Sequence, residues 1–144
     1  AATLSEAITS TEEFVNPNAV KVVADQQNMA LYFSRAPIPF PRADWMENNS
    51  LDGLTLDVGS VGLSSTKVLP QRHIGIYAYR AGFLKQFSAL PPTALECCES
   101  LEQLRALENG FGIATAAALA EFPPGVDTQQ DLDRANVFWA SREE

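Results

Sequence analysis

The stretch His73-Ile-Gly-Ile-Tyr-Ala-Tyr-Arg80, with Phe83, Leu84, Phe87 and Leu90 directly behind it, decides the class of fold. Its first half alternates apolar or small residues with aromatics, the pattern of a buried strand. Its second half repeats apolar residues at helical spacing until Pro91-Pro92 stops the helix. A strand running at once into a helix marks an α/β chain. Downstream, Thr93-Ala-Leu-Glu96 is a capping box, and Leu95, Cys98, Leu101, Leu104 and Leu107 predict one longer helix closed by Asn109-Gly110. Ile113 to Leu119 reads as a further strand and Pro123-Pro-Gly125 as a turn. Thr128-Gln-Gln-Asp131 opens a terminal helix with Leu132, Ala135 and Trp139 facing inward.

Upstream of that stretch, Thr3 to Ile8 has the composition of a strand in the middle of a sheet, and Ser10-Thr-Glu-Glu13 caps a short helix stopped by Asn16-Pro17. Val20 to Val23 and Met29 to Phe33 are β-prone runs joined by the turn residues Asp25-Gln-Gln-Asn28, which makes them a hairpin. The hairpin ends in Ser34-Arg35, and the prolines of Ala36-Pro-Ile-Pro-Phe-Pro41 then force an extended path. From Arg42 to Gln71 no period persists; glycines at 53, 59 and 62 and several serines mark an irregular insertion, part of which packs through Trp45, Leu51, Leu54 and Leu56. The expected architecture is α/β: a mixed sheet with an antiparallel hairpin element, flanking helices and one long insertion.

Composition narrows the function classes. At 144 residues the chain can bury roughly 68 to 70% of its unfolded surface, so it needs no disulfides to hold a core. A net charge of −8 argues against a nucleic-acid or anionic-membrane surface, since both need clustered Lys and Arg. Cys97 and Cys98 are the only cysteines, and neighbours seldom pair, so a reducing, cytoplasmic setting is expected. No apolar run is long enough to span a membrane.

No P-loop, dinucleotide fingerprint, zinc-ligand spacing or nucleophile elbow occurs. What remains is a scattered polar set. Arg35 follows a strand, where a rigid fork suits a carboxylate or phosphate, though a surface ion pair explains it equally well. His73 starts a strand and Tyr77 lies within it; a lone histidine there is more often packing than ligand. Glu102-Gln103 in mid-helix resembles a solvated face, Asp127 an ordinary helix N-cap, and Cys97-Cys98 a pair of half-buried small residues. These residues reach a candidate anion site and no further.

The blocks Phe14 to Val23, Ala30 to Pro39, His73 to Phe83, Leu101-Glu-Gln-Leu-Arg105 and Gly125-Val-Asp-Thr128 occur in this order in the 3-deoxy-manno-octulosonate (Kdo) cytidylyltransferase family, which the chain resembles from Ala2 to about Val137. The resemblance implies a partial nucleotide-diphospho-sugar transferase fold, the reaction of CTP with Kdo to CMP-Kdo and pyrophosphate for lipopolysaccharide synthesis, a Mg2+ cofactor and a homodimer. From the charge balance and the lack of a long apolar run, no nucleic-acid or membrane partner is expected. Carried over by position, the resemblance implies that Arg35 faces the sugar carboxylate and that His73, Tyr77, Glu102 and Gln103 surround the sugar. It likewise implies that Asp127 helps hold Mg2+ against the triphosphate and that Asp127 and Arg35 carry the chemistry. The family's N-terminal phosphate-cradling loop and a second metal-binding Asp have no counterpart in these residues. The expectation is therefore that residues 1–144 are the C-terminal portion of one cytidylyltransferase domain, holding its Kdo-binding and dimer-forming part and inactive alone, with apolar faces left for the remainder. A cytidylyltransferase for another acidic sugar, such as a sialic acid, is the alternative within the class, and a non-catalytic binding or dimerisation module the alternative outside it.

Overall fold

The computed structural model describes residues 1–42, 70–120, 126 and 129–140; most of the Arg42 to Gln71 insertion and the Pro123-Pro-Gly125 turn lie outside them. In chain order the described elements are β1 (Ala2–Ala7), α1 (Thr11–Val15), β2 (Lys21–Ala24), β3 (Ala30–Ser34), β4 (Gln71–Ala78), α2 (Ala81–Phe87), α3 (Ala94–Glu99), α4 (Gln103–Glu108), β5 (Ala114–Ala117) and α5 (Gln129–Ala140). The strands form one mixed sheet of order β3-β2-β4-β1-β5, in which only β1 and β5 run parallel. The expected α/β class holds, and β1 lies inside the sheet as its composition suggested.

Local chemistry shapes the hairpin. Asp25 Oδ1 accepts from the backbone N–H groups of Gln27 and Met29, each at 2.9 Å, and Asn28 takes the left-handed conformation at φ 60°. Asparagine tolerates that region better than most residues. The main core lies on the sheet face covered by α4, where Val22, Ala30, Phe33, Leu101, Leu104, Ala106 and Ile113 are buried together. Lys21 is also fully buried, its ammonium donating to the carbonyls of Asn16 at 2.9 Å and Arg35 at 2.6 Å.

Several expectations need correction. The helix predicted from Thr93 onward is two helices, because Ser100 adopts the left-handed conformation (φ 54°, ψ 49°) and the Leu101 N–H closes back on the Glu96 carbonyl at 3.2 Å. That closure is a Schellman-type helix end. The apolar positions were spaced by threes, and at 3.6 residues per turn such a row winds off any single face within a few turns. The break resets it: Leu101 and Leu104 are buried, while Leu95 and Cys98 are exposed. Cys97 is exposed too, so neither thiol is half-buried. Glu102 accordingly stands at a helix start, not in mid-helix. Strand β5 is shorter than Ile113 to Leu119, and on α5 Leu132 and Trp139 are exposed and not inward. Strand β4, expected to be buried, buries only Ile74 fully and exposes Ile76, as Tyr79 and Leu84 are exposed beyond it. Among the described residues this leaves apolar surface open at the end of β4.

Candidate functional site

The site begins with an irregularity in β4. Thr3 pairs with Tyr77 while the next residue, Leu4, pairs with Ile74, so Gly75 and Ile76 bulge out of the ladder. The Thr3 hydroxyl lies 3.0 Å from the Ile74 carbonyl and 2.8 Å from the Ile76 carbonyl and stitches the bulge. In a regular strand residues four apart stand about 13 Å from each other. Here the bulge shortens the path, and the rings of His73 and Tyr77 approach to 5.2 Å.

The same hydroxyl orients His73, whose Nε2 lies 2.9 Å from Thr3 Oγ1. With its single proton directed at the two carbonyls, the hydroxyl accepts from the ring, which assigns the proton to Nε2 and leaves Nδ1 as an acceptor. Burial, with Phe33 edge-on at 4.9 Å, lowers the His73 pKa from 6.5 to about 4, so the ring is neutral at pH 7. Burial also raises the Tyr77 pKa, helped by Tyr79 and the Glu102 carboxylate, and keeps the phenol protonated. The buried Tyr77 hydroxyl has no hydrogen-bond partner among the described residues. Beyond it Tyr79 stacks on Tyr77 at 5.4 Å and Phe83 on Tyr79 at 5.6 Å, a column that ties the end of β4 to α2.

Arg35 follows β3 directly. Its Nε donates to the Glu99 carbonyl at 2.7 Å, and its two terminal nitrogens donate to the carbonyls of Pro17 at 2.9 Å and Ser100 at 3.4 Å. Among the described residues three of the five guanidinium N–H groups are thus engaged, and one remains on each terminal nitrogen. The Glu99 carboxylate answers by accepting from Ser34 Oγ at 2.6 Å, the Arg35 backbone N–H at 2.9 Å and the Tyr32 hydroxyl at 3.4 Å. Burial alone would raise the Glu99 pKa; the hydrogen bonds from Ser34, Arg35 and Tyr32 outweigh it and hold the group below the usual carboxylate range.

The structure therefore joins Arg35 to the turn between α3 and α4, beyond which Glu102 is exposed and Gln103 buried at the start of α4. It brings His73 and Tyr77 into ring contact and sets the Glu102 charge within reach of Tyr77. Asp127 lies outside the described residues. Sequence reasoning missed Thr3, Glu99 and Lys21. A lone glycine within a strand signals a bulge, so Gly75 was a usable clue to the first. Among the described residues no group of three or more His, Cys, Asp and Glu is placed to hold a metal, and no helix is long and apolar enough to cross a membrane.

An α/β sheet with placed polar groups at its strand ends suits recognition of a polar substrate. The cytidylyltransferase family model matches residues 1–116, and the chain belongs to that family. Among its relatives, a 3-deoxy-manno-octulosonate cytidylyltransferase of Xanthomonas campestris pv. campestris is 48% identical over 140 residues, 97% of this chain and 51% of that protein. 3-Deoxy-manno-octulosonate cytidylyltransferase 1 of Actinobacillus pleuropneumoniae is 52% identical over 139 residues, 96% of this chain and 51% of that protein. A solved structure of CMP:2-keto-3-deoxy-manno-octonic acid synthetase complexed with CTP superimposes with a TM-score of 0.74 at 38% identity, covering 98% of this chain and 49% of that one. The chain thus spans about half the length of the curated relatives it matches.

Proposed function

We propose that the whole enzyme transfers a cytidylyl group from CTP to Kdo and that this chain supplies the side of the site that holds the sugar acid. The observation that carries the reading is the meeting of Arg35 with the α3–α4 turn that leads into Glu102 and Gln103, with His73 and Tyr77 in ring contact and the Glu102 charge acting on Tyr77. The two remaining guanidinium N–H groups of Arg35 suit a carboxylate. The neutral His73 ring offers Nδ1 to a sugar hydroxyl, and the unpartnered Tyr77 hydroxyl can donate to or accept from one. Glu102 and Gln103 bring an acceptor and an amide to the remaining hydroxyls. In the reaction the anomeric oxygen of Kdo forms a bond to the α-phosphorus of CTP, the bond from that phosphorus to the bridging oxygen breaks, and pyrophosphate leaves. The protein's part is to hold the sugar in line and to exclude other attackers.

Mg2+ belongs to this reading through Asp127: the ion would offset charge on the triphosphate, and oxygen donors of this kind are those it prefers. The described residues provide no carboxylate cluster for it, so no step rests on it here. A homodimer and a cytoplasmic location complete the proposal; the acidic chain with two exposed free thiols supports the second.

Pyrophosphate release from CTP, measured with Kdo and with sialic acid side by side on the complete enzyme, tests the substrate. Turnover with Kdo is expected, and preference for sialic acid would replace it with the alternative. The chain alone should release none. In the complete enzyme Arg35→Ala should raise the Kdo requirement sharply, whereas Asp127→Ala should lower turnover and change the Mg2+ dependence. Unchanged kinetics would remove that residue from the site.

A further inference from the structure

Arg35 is held through its backbone and through its guanidinium Nε. Its N–H goes to the Glu99 carboxylate at 2.9 Å, its carbonyl accepts from the buried Lys21 ammonium at 2.6 Å, and its Nε returns to the Glu99 carbonyl at 2.7 Å. Two of these three contacts belong to one residue, Glu99, the last residue of α3. Ser34 tightens the arrangement: its hydroxyl donates to Glu99 at 2.6 Å and accepts from the Ala36 N–H at 3.0 Å, fixing the chain on both sides of Arg35. On the other side of Glu99 the chain turns through Ser100 and the buried Leu101 and enters α4 at Glu102-Gln103.

We infer that Glu99 is a positioning residue for the sugar acid, setting where the Arg35 guanidinium stands relative to Glu102 and Gln103. The inference rests on the proposed function, in which those three residues meet the sugar. Its physical content is a clamp between a strand end and a helix end that are 64 residues apart in sequence and have no covalent reason to keep a fixed distance. The carboxylate takes no part in the chemistry; it acts through Arg35. Mispositioning a binding group weakens ground state and transition state alike, which appears in the KM for the sugar and not in kcat.

Glu99→Gln keeps the size of the side chain but turns an NH2 group toward donors, so at least one of its contacts is lost. In the complete enzyme we expect the KM for Kdo to rise about tenfold, with kcat and the KM for CTP within about twofold of wild type. Ser34→Ala, which leaves the carboxylate in place, should move the same constant in the same direction by about threefold. In an Arg35→Ala background Glu99→Gln should add almost nothing, because groups acting as one unit are not additive. A variant that lowers the melting temperature without changing the KM for Kdo would overturn the inference, as would an equal effect of Glu99→Gln with and without Arg35. If the wild-type enzyme does not use Kdo, the functional proposal falls and takes this inference with it. If it does and the variants match it, this inference alone fails.

Discussion

Acid should unfold this protein partly through one ring. His73 titrates near 4 in the folded chain because burial disfavours its charged form, against 6.5 when solvated. Between those values the unfolded chain binds more protons than the folded one. Stability therefore rises with pH across that window and is lost as the pH falls from 6.5 through 4. The separation amounts to about 3 kcal/mol in all, and about 2 kcal/mol of it is gone by roughly pH 5. Burial raises the Glu13 carboxyl above its ordinary 4.5, toward the same window, so the wild-type curve alone does not isolate the ring. His73→Gln does: the amide keeps an N–H for Thr3 Oγ1, now 2.9 Å from the imidazole, and carries no titrating group. Equilibrium urea unfolding of both proteins at about pH 8 and about pH 5 measures the difference. Wild type should lose about 2 kcal/mol more than the variant between the two conditions. Equal losses would show that the folded ring accepts a proton as readily as the unfolded one, and the burial argument would be refuted.

Two other perturbations test the frame around the site. Lys21 titrates near 8, chiefly because it is buried, and then because Arg35 repels its charge. Its folded value lies below the unfolded 10.5, so wild type should gain stability as pH rises from about 8 toward 10.5 while Lys21→Met does not, and the gap between them should widen in the same denaturation measurement. Ser100 holds a left-handed conformation that costs a residue with a Cβ about 1 kcal/mol. Ser100→Gly should recover up to that amount and Ser100→Val should lose stability; the opposite order would mean that the α3–α4 break is not fixed by backbone conformation.

What could be read from the residues follows the range of the interaction that determines it. The hairpin was legible because Asp25 and Asn28 make its turn with contacts at most four residues away. The start of α3 was legible for the same reason: Glu96 reaches back to the Thr93 N–H at 3.1 Å. The break at Ser100 was not, since serine has no preference for the left-handed region and the apolar row continued past it. What favours the break is distant, namely Leu101 and Leu104 buried against the sheet and Arg35 accepted by the carbonyls of Glu99 and Ser100. The exposure of Ile76 and Leu84 had a different origin, because periodicity says that a face is apolar and not that something in these residues covers it.

The candidate site could be read as a set of residue types and not as a geometry, and the difference bears on how Arg35 should be understood. From its place after a strand it could be a ligand group or a surface ion pair. The structure gives a third relation: the guanidinium closes the carbonyl end of α3 and offers only what is left to a substrate. A cation there is favourable for the helix end in its own right. Arg35→Ala therefore removes two things, the proposed ligand contact and the cap that holds the α3–α4 turn, whereas Arg35→Lys keeps the charge and loses the fork. If lysine preserved the melting temperature but not the affinity for the sugar acid, the two roles would be separated. The bidentate contact to substrate would then be what a fork is needed for at this position.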